Sequence, residues 1–549
     1  MVYNYELIYR ADGEERMLKN ELSDARVRLS VTDDGERHAV LLEALADVEL
    51  NSYAEADHDF FTKQSPERPD PKGDLYFING YQSWTDTREY YADARERDVK
   101  ALPRALVRNF SLDRYGDATF YEYDKRILHG YDYFYVRGGS GAFVANLNGE
   151  RAYLIIEVTR RIGAVTLISD VRGKKLRAGE QYVLCDYLYK GDRASGLEAF
   201  DRYCPKRDVK KIFGYTSWYN YYQDISEEIL RRDLEALDSR FNLFQIDDGY
   251  ETFVGDWLEV DPVKFPNGLS GIAETIHEKG YLAGIWLAPF VAEEKSRLYQ
   301  TKRDWFRKDA AGLPVKCGGN WSGFYALDLE NAEVRDYIEK CLRHYADMGF
   351  DFFKLDFLYA ANLPDYEGKT RCEAAEYAYA FLREILKDKL ILGCGATLIN
   401  AAGRFDYLRV GPDVSLIFDD VWYMRFLHRE RISTKVTLQN TVYRSFLDGR
   451  LFGADPDVFL LRDENLSLTP EQRRALITIN ALFGSVMMTS DNIATYDGEK
   501  RKLLSESLAL FESARVIGYS RFDTVITIEY EQEGQKNTIR YDTEKGVLV

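Results

Sequence analysis

Two hydrophobic rhythms divide the chain. From residue 1 to about 205, apolar residues recur in short runs of strand length, at 26–31, 119–123, 142–146 and 153–158. Gly, Asp and Asn turn signals separate these runs, which predicts a β-sandwich. No long helical period precedes Gly196. Residues 65–73 (SPERPDPKG) read as a rigid exposed loop, and 204–211 (CPKRDVKK) as a charged linker. From Ile212 the rhythm changes, and strand-like blocks alternate with helix-like ones. The helix expected from Ser226 has an N-cap, Glu227 and Glu228 in its first turn, and Leu230, Leu234 and Leu237 on one face. Another, over about 332–348, puts Val334, Ile338, Cys341 and Tyr345 on one face.

Strands are predicted at 213–218, 243–246, 282–287, 350–355, 390–393, 407–410, 449–452 and 485–488. Such a series predicts a (β/α)8 TIM barrel, with a doubly wound sheet as the alternative. Beyond about Ile517 the pattern reverts to short alternating runs, a small antiparallel β domain. The expected division is 1–205 for an N-terminal β-sandwich domain, 206–515 for the catalytic barrel and 516–549 for a C-terminal β domain.

Composition narrows the function classes. Of the 549 residues 45% are hydrophobic and 14% aromatic, which marks a folded multidomain protein. A net charge of −18 without a basic tract argues against nucleic acid and anionic membrane as partners. The N-terminus lacks the pattern of a signal peptide, no run of 18 apolar residues occurs, and the six Cys form no CxxC pair. A cytoplasmic protein with free thiols is expected. The six His show no HxH or HExxH spacing, so neither a metal site nor a cofactor is expected. Oligomeric state is left open.

The C-terminal mouth of a parallel barrel is where such folds place chemistry. Reading the predicted strands at those ends gives Trp218 and Tyr219, then Asp247 and Asp248, Trp286, Lys354 and Asp356, Cys394, Arg409 and Asp413, Asp455 and Asp457, and finally Asp491. Carboxylates, two cations and two indoles suit a sugar, whose hydroxyls need polar partners and whose CH face suits an indole. Carboxylates could instead hold a magnesium ion, but Lys354 and Arg409 would repel it. Lys354 and Asp356, two apart, should point the same way, either as a structural pair or with Lys354 keeping a nucleophilic Asp356 ionised. Asp413, expected to be less compensated and more desolvated, is the candidate proton donor; its rival reading is a turn residue after Pro412. Trp84, after Asn79-Gly80, is either core or an indole presented on a loop.

The motifs NGYQSW, GYTSWYNYY, FQIDDGYE, GIWLAPF, YALDL, FKLDFLYA, ILGCG, LRVGPD and DPD, in this order between Asn79 and Asp491, resemble the alpha-galactosidases of glycoside hydrolase family 36. The shorter, single-chain bacterial and thermophilic type is the most similar. The resemblance implies a β-supersandwich, a (β/α)8 barrel and a C-terminal β domain. It implies a retaining hydrolase of terminal α-galactosides such as melibiose or raffinose-type oligosaccharides, with Asp356 as nucleophile and Asp413 as acid/base. Asp247 and Asp248 would hold galactose hydroxyls, and Lys354 and Arg409 would bind substrate. Trp218 and Trp286 would wall the pocket, with Tyr219 beside them, Cys394 would lie near the C2 hydroxyl, and Trp84 would extend over the pocket. Tyr215, Thr216 and Tyr81 depart from residues frequent in relatives. An α-N-acetylgalactosaminidase, a galactosyl-transferring synthase and, in another class, a non-catalytic sugar-binding protein are the alternatives.

Overall fold

The computed structural model describes every residue except 1–3, 57–72, 140, 364, 422–423 and 426–427. The loop expected at 65–73 falls, but for Gly73, outside the described residues.

The first part of the chain forms two seven-stranded sheets. Their strands are antiparallel; some alternate in burial, as Asn4–Ala11 does in burying Tyr5, Leu7, Tyr9 and Ala11, and others, such as Ala142–Asn146, are buried throughout. The inward faces share one core, with Leu7 and Ile156 from one sheet and Leu42 and Val144 from the other. One expected strand is absent: 119–123 is a turn, in which the amides of Phe120 and Tyr121 both donate to the carbonyl of Asp117. The Tyr121 ring stacks on His129 at 3.9 Å instead of joining a sheet, so a tertiary contact overrides the strand preference of its aromatic residues.

From Ile212 a second, parallel sheet is laid down. Its strands are β1 (Ile212–Thr216), β2 (Leu243–Ile246), β3 (Leu282–Leu287), β4 (Phe352–Leu355), β5 (Leu390–Gly393), β6 (Tyr407–Arg409), β7 (Gly453–Asp455), β8 (Val458–Phe459) and β9 (Val486–Thr489). The order across the sheet is β7-β6-β5-β4-β3-β2-β1-β9-β8. Its two edge strands are therefore neighbours in the chain, separated only by Pro456 and Asp457. The sheet curls round into a TIM-barrel-like domain. The strand expected at 449–452 lies a few residues later. Gly449 instead turns, its amide bonded to the Phe452 carbonyl. Pro456, which lacks an N–H, then divides the strand: β7 pairs with β6, and β8 with β9.

Helices cover the outside. Helix α1 (Glu227–Ala236) is capped by the Ser226 hydroxyl and buries Leu230 and Leu234. Helix α2 (Ala332–Asp347) buries Val334, Ile338, Cys341 and Tyr345. It ends at Gly349, whose φ of 106° suits glycine, and the chain turns there into β4. The last strands, from Arg515 to Leu548, form a four-stranded antiparallel sheet that buries Ile526, Ile528 and Tyr541. Among the described residues no helix is long and apolar enough to cross a membrane.

Candidate active site

The strand ends of the parallel sheet converge at its carboxyl side. Asp247 follows β2 and is buried among donors. Its Oδ2 accepts from Lys354 Nζ at 2.8 Å, Gln245 Nε2 at 2.6 Å and Thr216 Oγ1 at 3.1 Å. Thr216, a departure from the family pattern, thus supports the site from below. Lys354, on β4, is 3% exposed, and the Asp247 carboxylate outweighs burial to hold its ammonium above the usual lysine range. Asp247, not Asp356, is therefore the ion-pair partner of Lys354, which corrects the pairing expected from their i, i+2 spacing.

Asp356 lies one residue past β4. Trp286 Nε1 donates to its Oδ2 at 3.1 Å and the Phe357 amide to its Oδ1 at 2.7 Å. Burial raises its pKa above the ordinary carboxyl value; Lys354 opposes this and the charge of Asp413 reinforces it. The last influence puts the two carboxyls within electrostatic reach. Asp413 Oδ1 accepts from Arg409 Nη1 at 2.8 Å, and 32% of the Asp413 side chain is exposed. Asp413 is thus the charge-paired, more open carboxylate, the reverse of the desolvated group expected.

Arg409 is buried and meets three acids, adding Asp455 through Nε and Asp457 through Nη2, each at 2.8 Å. Asp457 occupies the break between β7 and β8 at a φ of 73°. Burial raises it to about 7, opposed by Arg409. It accepts hydrogen bonds from the Tyr219 hydroxyl and, at 2.7 Å, from the Val414 amide. Tyr219 is therefore a buried brace between β1 and this break, not a pocket wall. Asp491 likewise braces, accepting from Arg462, Tyr496 and two backbone amides. Trp218 opens a short helix after β1 and is half-buried, its ring edge-on to Tyr222 at 5.1 Å.

The N-terminal sheets contribute Trp84. Its loop is fastened to the barrel by the buried Arg444, which donates to Asn79 Oδ1 and to the carbonyls of Ser83, Gln82 and Val410. Trp84 Nε1 reaches Cys394 Sγ at 3.3 Å, and its ring meets Phe357 and Tyr359 edge-on. A Cβ on Gly395 would lie 2.9 Å from the indole, so glycine is required there. Tyr81, three residues earlier, packs away from the rim against Tyr131 and Tyr153.

Several residues at the rim escaped the sequence reading. Trp321 Nε1 donates to Asp248 Oδ2 at 2.9 Å and Gln223 Nε2 to Oδ1 at 3.0 Å. The sequence signal for Trp321 was its position after Gly318-Gly319-Asn320, a turn that ends in an indole like the one before Trp84. Glu251, in the same turn as Asp248, was also missed. Away from the rim, His38, Glu55 and Cys185 bring potential metal-ligand atoms within 4.8 Å inside the first domain, a grouping that sequence spacing did not anticipate. A groove of about 580 Å³ between the first sheets and the barrel, lined by Arg172 and Arg307, contains none of the strand-end residues.

A parallel barrel whose rim gathers opposed carboxylates, cations and indoles defines a glycoside-hydrolase-like class of site. The family model described as Melibiase matches residues 207–387. Over 97% of this chain the structure is similar to TtGalA, the alpha-galactosidase of Thermus thermophilus in complex with p-nitrophenyl alpha-D-galactopyranoside, at 26% identity, 98% coverage of that chain and a TM-score of 0.71. The same enzyme in complex with stachyose aligns over 92% of this chain and 99% of its own, at 27% identity and a TM-score of 0.69. In sequence, alpha-galactosidase Mel36A of Lactobacillus acidophilus is 28% identical over 209 residues, 35% of this chain and 27% of its own length. The chain spans between 16% and 27% of the length of the first curated relatives it matches. The chain is similar in sequence and in structure to alpha-galactosidases.

Proposed function

We propose that the protein is a retaining alpha-galactosidase acting on terminal α-galactosides of the melibiose or raffinose type. One observation carries this reading: Asp356, buried and held by Trp286 and the Phe357 amide, feels the charge of the half-open Asp413 across one rim. An Asp356 oxygen attacks the anomeric carbon as the glycosidic bond breaks, and Asp413 gives its proton to the leaving oxygen. Asp413 then takes a proton from water, whose oxygen attacks the galactosyl-enzyme and expels the Asp356 carboxylate. Asp247, Asp248 and Lys354 are placed to take sugar hydroxyls, Trp286 to line the pocket and Trp84 with Cys394 to close one side. Arg409 serves as the anchor of Asp413 rather than as a substrate cation, since three carboxylates already surround it.

The nine-stranded sheet is read as a (β/α)8 barrel whose seventh strand is broken at Pro456. The division proposed is a β-supersandwich over 1–205, a catalytic barrel over 206–515 and a β domain over 516–549. The deciding experiment is hydrolysis of p-nitrophenyl α-D-galactopyranoside followed by NMR of the released sugar. α-Galactose should appear first; first appearance of the β-anomer removes the double displacement. The N-acetylgalactosaminide and the α-D-galactosaminide serve as competing substrates, the second because a relative from Flavonifractor plautii, 31% identical over 171 residues, is an A type blood alpha-D-galactosamine galactosaminidase.

A further inference from the structure

We propose that Glu251 is a positioning residue that holds Asp248, through a carboxyl–carboxylate hydrogen bond, in the orientation in which it accepts a sugar hydroxyl; this rests on the sugar site proposed above. The turn after β2 brings the two together. Gly249 adopts a φ of 116°, and a Cβ there would lie 2.6 Å from the Gln223 carbonyl oxygen. The turn is thus pressed against Gln223. The Gly249 amide donates to Glu251 Oε2 at 3.3 Å, which sets the Glu251 carboxyl against the turn that carries Asp248, and the two carboxyls are within electrostatic reach of each other. The two are only 2% and 5% exposed.

Among the described residues no cation forms an ion pair with Asp248 or Glu251. Lys264, the cation of the turn, donates to the carbonyls of Gln223 and Gly249 at 2.8 and 3.1 Å. Lys354 is engaged by Asp247, which itself adds negative charge beside Asp248. Tyr250 and Tyr345 face Glu251 with hydroxyls that stay protonated. Two buried carboxyls without a counter-ion hold one proton between them. Burial, then the charge of Asp248, raises Glu251 well above the ordinary glutamate value, while the Glu251 hydrogen bond opposes the rise at Asp248. Glu251 is therefore the donor and Asp248 the anion. Gln223 and Trp321 fix the remaining geometry of Asp248 and leave it able to accept from a ligand. Once Glu251 ionises, repulsion turns Asp248 away and sugar binding weakens.

The test is the pH dependence of KM and kcat, measured separately, for wild type, Glu251→Gln and Glu251→Ala. In wild type KM should rise on the alkaline side. E251Q, whose amide donates at every pH, should keep KM within about threefold of wild type at neutral pH and lose that rise; E251A should raise KM about tenfold, with a smaller change in kcat. An alkaline rise in KM that persists in E251Q overturns the proposal, as does an E251A variant that loses kcat and leaves KM alone. Calorimetric titration of wild type with galactose from about pH 5 to 9 gives a second readout that needs no variant. Affinity that falls at high pH supports the role of Glu251, and pH-independent affinity overturns it while leaving the sugar site intact. Absence of any galactose binding overturns the sugar site itself.

Discussion

On the flank built by β2, β3 and β4, Asp247, Asp248 and Asp356 are between 2% and 8% exposed, and nearby side chains and backbone amides hold their carboxyls. On the flank built by β6, β7 and β8, Asp413 leaves 32% of its side chain open and leans on Arg409, which two buried acids share. The first flank is preorganised and dry, as a group that must hold one sugar in one pose requires. The second keeps one carboxyl near solvent, where water and a leaving alcohol can reach it. Position, rather than local charge, therefore separates the two catalytic candidates.

Asp356→Ala should break the contrast most severely. Turnover of p-nitrophenyl α-galactoside is expected to fall roughly 10⁴-fold, with galactose affinity by calorimetry changed only a few-fold. Wild-type turnover remaining in that variant would move the nucleophile elsewhere. Asp413→Asn tests the open flank. Hydrolysis of melibiose should fall about 10²–10⁴-fold, and the aryl substrate, whose leaving group needs little protonation, should suffer much less. Equal losses on the two substrates would remove the proton-donor role.

Arg409→Met should act on stability as much as on rate. It strips the counter-ion from Asp413, Asp455 and Asp457 together, and about 3–5 kcal/mol of unfolding free energy should be lost, read from denaturant midpoints. A stable Arg409→Met protein would show that the acids are compensated elsewhere.

A seam outside the rim sharpens the comparison by its pH response. His129 sits between Glu96 at 2.5 Å and Asp117 at 2.8 Å, next to Arg429 from the barrel. Burial pushes its pKa down, but the two acids outweigh burial and raise it to about 9 from 6.5. The folded state thus binds the proton more tightly than the unfolded chain. The resulting stability is complete below about pH 6.5 and is lost as pH rises through about 9. The melting temperature should fall across that window, and His129→Gln should flatten that part of the profile. The smallest effect is expected from Trp84→Ala, with KM for raffinose raised about threefold to tenfold and kcat changed less. An unchanged KM would make Trp84 a domain fastener only.

Much of the frame was legible because strand period and helix period are local signals. β2, β3 and β5 stand where the pattern placed them, and α2 buries the face that its spacing assigned. The misses have physical causes too. Residues 119–123 have strand-forming side chains, yet the neighbouring Asp117 carbonyl and His129, which the fold brings close, hold them in a turn. The seventh strand was misplaced because a proline that breaks a strand also reads as a loop signal.

The sequence by itself determined which residues stand at the strand ends, because a side chain at the carboxyl edge of a parallel strand faces the barrel mouth wherever the strand lies. It also determined that Asp356 and Asp413 lie two strands apart in the chain order of the sheet. Only the tertiary structure decided how charge is shared among them. Lys354 pairs with Asp247 across strands, Arg409 gathers acids from two later segments, and Trp84 arrives from another domain on a loop that Arg444 fastens. Ion pairing depends on distances of a few ångströms between atoms far apart in the chain, and nothing in local spacing encodes those distances.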